Sequence, residues 1–437
     1  MHPGLVVKLR PSGPWRIGSD SGARNRVDAL YHSDSLYAAV TSAMARLGTL
    51  EDWLDATARS AAPAVCFSSC FPYLDDILCV VPPRTFWPPA AAGISTRVRW
   101  KSVRFAPLEI VRDLVAGRKL DEGQWSLDGS SECLTPAGSP GPFRTSVRWS
   151  AAVDRFTGAT ERHSTACIEF RSGCGLWAVA SFLDQAARDR WQSPVKAALR
   201  LLADSGFGGE RSRGWGRSEP PEFAEGDLPD LILPPLAPAP EAAVLTEEVS
   251  GAGRGTHDLG GSACLPDSED VANSADAPPD QPTLPTPMPG EVKPEDSASA
   301  ESPAEMGAGV AVLEMEDEAL ETQVEFQPIE PEPEPAFATP VIDAPQSHWL
   351  LSLYTPAPDD TVDWRRGSYS VLTRGGRVES PAGSGGLKKQ LQMIAEGSVL
   401  SAVSEPRGSA TDVGPEGFPH PVYRAGFALS IPLPEVR

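Results

Sequence analysis

The sequence predicts an α+β protein of two ferredoxin-like lobes, residues 1–227 and 347–437, with a long acidic insert between them. Three observations predict it. Short strand patterns and a few capped helical patterns occupy both ends of the chain. A loop dense in glycine and arginine follows the last strong helical pattern. Between the lobes, residues 228–346 hold 25 Asp/Glu against 2 basic residues, together with 20 of the 45 prolines.

The elements follow in order. Leu5–Arg10 alternates, with Leu5, Val7 and Leu9 on one face and Lys8 and Arg10 on the other, so it reads as a first strand. A polar loop carries Arg16, Arg24 and Arg26. Ser33 is placed to cap a helix, Asp34 suits its positive first turn, and Leu36, Val40, Met44 and Leu47 repeat at helical spacing up to Gly48. Thr49 opens a second helix with Trp53, Leu54 and Ala58 inward. Short apolar runs then predict strands at Ala64–Phe67, Ile77–Val81, Val98–Phe105, Thr145–Trp149 and Ala166–Phe170. Residues 85–162, rich in Trp and Arg, read as an inserted lobe. Gly175–Leu183 predicts a strand. Ser193 and Pro194 predict the start of a helix, with Val195, Ala198, Leu199 and Leu202 on one face, ending at Ser205 and Gly206. After the insert, strands are expected at His348–Tyr354, Tyr369–Leu372, Val399–Val403 and Tyr423–Leu433, with a Gly/Lys loop at Ser384–Leu391. Strand–helix, then strands, then helix–loop–strand is a split β-α-β unit with a large insertion.

The insert explains the overall charge. The 437 residues carry a formal −21, of which residues 228–346 supply −23. The other 318 residues hold 36 Lys/Arg and 34 Asp/Glu, a net of +2. An anionic ligand is therefore compatible with the folded lobes, although an acidic protein as a whole repels phosphate. A segment whose only aromatics are Phe326 and Phe337 cannot offset a backbone ordering cost of roughly 1–2 kcal/mol per residue, and is expected to be disordered. Its Glu-Pro run, Glu330–Pro335, is expected to be extended, and Val310–Leu320 to form at most a transient helix or docking peptide. No apolar run reaches 18 residues, which excludes a transmembrane helix, and Met1–Arg10 lacks the apolar core of a signal peptide. The seven cysteines include no C-x-x-C and no Cys/His pair at zinc spacing. They read as reduced thiols of a cytoplasmic protein, and nothing calls for a metal or cofactor.

Residues 206–217, Gly-Phe-Gly-Gly-Glu-Arg-Ser-Arg-Gly-Trp-Gly-Arg, are the most specific stretch. Gly206, Gly208, Gly209 and Gly214 allow an anion close to the backbone, whose N–H groups form a concavity for it. Ser212 adds a hydroxyl. Arg211, Arg213 and Arg217 offer bidentate contacts to phosphate, and Phe207 and Trp215 offer faces for base stacking. There is no Gly-Lys-Ser/Thr, and the loop follows a helix rather than a strand, so it is neither a Walker motif nor a dinucleotide fingerprint. The competing reading is a glycine turn with solvated arginines and two core aromatics.

This loop in its strand–helix–loop–strand setting resembles the RAMP superfamily of CRISPR proteins, whose ferredoxin-like lobes are RRM-like. Other stretches point to one subunit type within it: Pro3-Gly4-Leu5, Tyr31–Leu36, Phe71-Pro72-Tyr73 and Pro82-Pro83-Arg84, and then Tyr369–Arg377 and Phe418–Arg424. They resemble the type III-A (Csm complex) RAMP protein that holds the five-prime tag of the CRISPR RNA. The resemblance covers residues 1–227 and 347–437 and does not explain the insert. It implies a non-enzymatic RNA-binding scaffold that contacts the large polymerase/nuclease subunit and the backbone RAMP subunit, with no membrane partner. Besides the loop, Lys8, Arg10, His32, Arg84, Arg374, Arg377, Lys388 and Lys389 are candidates for the RNA surface. An alternative is a RAMP endoribonuclease that processes repeat RNA with His32 as general acid-base, and the resemblance also puts Asp28 and Asp34 near the place where the backbone RAMP subunit carries a target-cleaving Asp.

Overall fold

The computed structural model describes residues 2–18, 23–89, 98–234, 344–380 and 382–434. Apart from its two ends, the acidic insert lies outside the described residues, and with it the expectations for Val310–Leu320 and Glu330–Pro335. The described residues on either side of the insert form one compact unit.

The N-terminal segment begins with β1 (His2–Leu9), α1 (Ser33–Leu47), α2 (Leu50–Ala56), β2 (Val65–Phe67), β3 (Phe71–Leu74) and β4 (Ile77–Val80). It continues through β5 (Ala106–Pro107), α3 (Leu108–Val115), the hairpin β6 (Trp125–Asp128) and β7 (Cys133–Pro136), and the long hairpin β8 (Phe143–Val153) and β9 (Thr160–Phe170). It closes with β10 (Cys174–Phe182), α4 (Gln185–Ser205) and β11 (Glu222–Leu228). The main sheet runs β11-β1-β10-β3-β4-β5, with β2 also paired to β10, and its pairings are antiparallel. The chain passes from β1 through α1 to strands beyond β10, and from β10 through α4 to β11 beyond β1. Each helix thus spans one intervening strand, and α1 packs on α4. Leu5, Val7 and Leu9 join Leu36, Val40, Met44, Val195, Leu199 and Leu202 in the core.

The C-terminal segment comprises β12 (Gln346–Leu350), β13 (Val362–Ser368), β14 (Val371–Arg374), β15 (Arg377–Ser380), β16 (Gly383–Leu387), β17 (Leu391–Ile394), β18 (Val399–Ala402), β19 (Gly408–Asp412), β20 (Tyr423–Phe427) and β21 (Ser430–Leu433). Its sheet runs β13-β18-β12-β21, again antiparallel. Among the described residues this segment has no helix. The N-terminal segment covers it instead. Tyr37 of α1 meets Phe427 edge-on at 5.5 Å, the Trp349 indole N–H donates to the Val81 carbonyl at 3.2 Å, and Trp349, Leu351, Val399 and Ile431 belong to the same core cluster as Leu5 and Val40. Among the described residues the two larger sheets share one main core.

Several expectations are corrected. Helix α4 starts at Gln185, not Ser193, because the Asp184 carboxylate caps it, accepting from the Ala187 N–H at 2.7 Å; Pro194 lies inside the helix. His32, not Ser33, holds the N-cap position of α1. The Ser33 hydroxyl accepts from the Leu353 N–H at 2.9 Å, tying the helix start to the C-terminal segment. Within Val98–Phe105 the chain makes a 3-10 turn, Trp100–Ser102, not a strand. The Gly/Lys loop at 384–391 includes most of β16. The N-terminal segment also continues past 227: Leu228 and Ile232 are buried, and Leu231 packs over Gly4 and Gly226. The six described cysteines are free thiols, and no helix among the described residues is long and apolar enough to cross a membrane.

Candidate nucleic-acid interface

The glycine-arginine loop leaves α4 at Gly206, whose N–H still pairs with the Leu202 carbonyl at 2.8 Å. The loop then folds onto residues 14–16. The Phe207 N–H donates to the Gly216 carbonyl, the Gly209 N–H to the Arg16 carbonyl and the Gly216 N–H to the Pro14 carbonyl, each at 2.8–2.9 Å. The Trp15 indole donates to the Arg217 carbonyl at 3.1 Å. Gly208 and Gly216 have φ of +70° and +80°, and a Cβ on them would overlap the carbonyl oxygens of Arg16 and Phe207. Gly209 is different, since a Cβ there would meet only the Arg16 side chain, at 3.3 Å. A backbone conformation that other residues rarely adopt is thus found at Gly208 and not at Gly209.

The aromatic platforms are corrected as well. Phe207 is buried, stacked on Trp15 at 5.1 Å with Tyr31 edge-on at 6.1 Å. Trp215 is also buried, and the Arg148 guanidinium from β8 lies 5.6 Å from its ring. Neither ring is open to a base. They anchor the loop because the loop buries its underside on Trp15, a residue no local pattern marked.

The loop's outer side faces solvent. An open depression of about 520 Å³ lies between Ser205, residues 208–212 and Glu379 of β15. Arg211 and Arg213 sit in a 3-10 turn reached through Glu210, at φ +60°. Arg211 pairs with Glu379, and Arg213 pairs with Glu210 at 3.1 Å. Arg217 is exposed and, among the described residues, makes no ion pair; Ser212 is exposed and Gly214 half-buried. Arg377 is exposed and donates to the Gly385 carbonyl at 2.6 Å, bracing the β15–β16 hairpin that carries Glu379. Lys8 is half-buried, its ammonium 5.5 Å from the Tyr73 ring. Arg84 is exposed, its backbone N–H paired to the Gly397 carbonyl. Arg10 is held by Glu219 and Glu222, Lys389 is exposed, and Lys388 is half-buried with its pKa lowered, first by burial and then by Arg424.

Two candidate contacts are interior. Arg374 is buried, and its guanidinium grips Asp34 at 3.0–3.1 Å; Arg424 reaches the same carboxylate at 2.6 Å. Burial alone would push the Asp34 carboxyl toward its neutral form, but Arg374 and Arg424 outweigh it and hold it well below the usual carboxylate range. Asp34, in the first turn of α1 as expected, is also the buried counter-ion of two arginines. His32 is only 3% exposed. Its Nδ1 meets Glu396 at 2.7 Å and its Nε2 meets Asp28 at 3.2 Å, while Ser69 donates to Glu396 and Arg104 reaches Asp28 at 2.9 Å. Burial lowers the His32 pKa, but the Glu396 charge and the two hydrogen bonds outweigh it and push it up to about 9. His32 is thus a buried imidazolium with both ring nitrogens turned to carboxylates. Glu396 and Arg424 have no local sequence signal for these roles, because their partners lie over 360 residues away.

The CRISPR Csm4 C-terminal domain family matches residues 343–433. No curated protein matches the sequence. Among solved structures, a chain of the Csm3–Csm4 subcomplex of the type III-A CRISPR-Cas interference complex aligns at TM-score 0.51 and 12% identity, over 99% of this chain and 100% of that one. A chain of the Csm1–Csm4 cassette in complex with cA4 aligns at TM-score 0.47 and 15% identity, over 100% and 99%. Residues 343–433 are thus a CRISPR Csm4 C-terminal domain, and the whole chain shares its fold with a chain of the Csm3–Csm4 subcomplex.

Proposed function

We propose that the chain is a non-catalytic subunit that anchors the five-prime tag of the CRISPR RNA and bridges the large subunit to the backbone RAMP subunits, in the cytoplasm, as part of antiviral defence. The observation that carries this reading is the solvent-facing depression lined by Arg211 at the glycine loop, with Arg213 and Arg217 exposed on the same loop, whose backbone is fixed from beneath. A rigid loop with guanidinium forks suits phosphate recognition, and fixed positions favour a tag of constant sequence. The sheets support a ferredoxin-like reading of both lobes. In each, the first strand is flanked by the third and fourth of its unit, and in the N-terminal sheet α1 and α4 supply the two crossovers. The fold shared with a chain of a Csm3–Csm4 subcomplex supports a backbone RAMP partner. The large subunit as partner rests on the motif resemblance.

Ultraviolet crosslinking of labelled tag RNA in the assembled complex tests the reading. Wild-type complex is expected to crosslink this chain, and the Arg211→Ala/Arg213→Ala/Arg217→Ala variant to lose most of that signal while assembly persists. Crosslinking unchanged in the variant would place the loop in a protein interface instead. The burial of His32 supports the non-catalytic part. Incubation of the full chain with repeat RNA, with and without divalent metal, is expected to give no cleavage, and sequence-specific cutting would reverse that conclusion.

A further inference from the structure

Glu379 stands opposite Ser384 in the β15–β16 hairpin. It is an exposed carboxylate on the β15–β16 hairpin, its side chain 77% accessible, and it reaches across to the Arg211 guanidinium at the depression. The second loop arginine is treated alike, since Arg213 is neutralised by Glu210 from the loop itself. Of the three loop cations, Arg217 makes no ion pair among the described residues. A carboxylate and a phosphate present the same two-oxygen edge to a guanidinium.

We propose that Glu379 is a specificity-determining residue of the RNA site: its carboxylate occupies the phosphate position on Arg211, and an RNA backbone must displace it to bind. This rests on the RNA-binding reading of the loop. An exposed ion pair is weak, worth about 0–1 kcal/mol, so displacement is feasible for a strand held at several points. A strand held only by charge at this one point gains little from the exchange. It also meets the released carboxylate, which stays tethered beside the depression. The pair therefore disfavours stray polyanions more than a ligand that makes further contacts.

The test is fluorescence anisotropy on the full chain with labelled oligouridylate at low salt, comparing wild type, Glu379→Gln, Arg211→Ala and the double variant. Glu379→Gln keeps the side-chain shape and removes the charge. It is expected to tighten oligouridylate binding by up to about fivefold, the equivalent of a surface ion pair. Arg211→Ala is expected to weaken binding, and the gain from Glu379→Gln to vanish in the Arg211→Ala background, because the pair is then already broken. Equal affinities for wild type and Glu379→Gln overturn the proposal and leave the RNA site standing. A gain that persists undiminished without Arg211 overturns it too, because the effect is then general charge. No loss of binding in Arg211→Ala removes the RNA reading of the loop and this proposal together. Unchanged melting temperatures establish that all four proteins are folded.

Discussion

At His32 both ring nitrogens face a carboxylate, so both carry protons in the folded chain and the ring is a cation. Its pKa is raised from 6.5 to about 9. The stabilisation from this shift is complete below the unfolded pKa and is lost as pH rises through the folded one. It amounts to about 3 kcal/mol. Glu396 and Asp28 shift the other way, and their contribution fades as pH falls below the usual carboxylate range. The melting temperature is therefore expected to fall between pH 7 and 9 in the wild type, and to be flatter over that window in His32→Gln, which starts less stable. A wild-type curve as flat as the variant's would show that the imidazolium is not held. Asp34 gives a second residue-scale prediction. Asp34→Asn leaves Arg374 and Arg424 buried without their carboxylate, and is expected to destabilise the chain by about 3–5 kcal/mol, read from the urea midpoint. Arg217→Ala, at an exposed site with no ion pair among the described residues, is expected to leave that midpoint in place.

At the scale of elements, the loop is held by carbonyls on both of its glycine turns. Gly208→Ala forces a positive φ on alanine and drives a methyl into the Arg16 carbonyl, so a loss of about 2 kcal/mol or more is expected. Gly209→Ala meets only a flexible side chain and is expected to melt close to wild type. Equal destabilisation by the two would contradict the loop geometry. The sequence revealed those elements whose signals are local. The first strand, the α1 repeat ending at Gly48 with φ +79°, the Thr49 start of α2 and the strand before α4 follow from alternation, caps and helical spacing. The start of α4 was hidden because Ser193-Pro194 imitates an N-terminus inside a helix capped at Asp184. Helix α3 was hidden in a stretch rich in Trp and Arg with little regular pattern. For the site, the arginines and the glycine turn were legible as a motif. The burial of Phe207 was legible only as the competing reading, and that of Arg374 and His32 was not, because it depends on Trp15, Asp34 and Glu396 arriving from distant parts of the chain.

At the scale of the whole molecule, the acidic residues fall between two segments that share one core. Residues 235–343 hold 24 Asp/Glu and 2 basic residues, a net of −22, so replacing them with a short Gly/Ser linker changes the formal charge from −21 to +1. Where the cut is made matters. Leu228 and Ile232 are buried, Leu231 packs over Gly4 and Gly226, and Gln346 pairs with Ala402 in the second sheet. Deleting 235–343 spares all of these, whereas deleting 228–346 removes them. The shorter deletion is expected to keep the wild-type melting temperature, and the longer one to lower it. If the loop binds RNA, the charge change has a second consequence. The 22 net negative charges repel any polyanion that comes within about a Debye length, roughly 8 Å at physiological salt. Random RNA, bound by charge alone, is expected to bind the 235–343 deletion more tightly than wild type at low salt, and the difference to shrink as salt rises. Tag RNA in the assembled complex is expected to change less, because its contacts with Arg211, Arg213 and Arg217 are short-range. The reading is wrong if filter binding gives the same random-RNA affinity with and without residues 235–343 at low ionic strength.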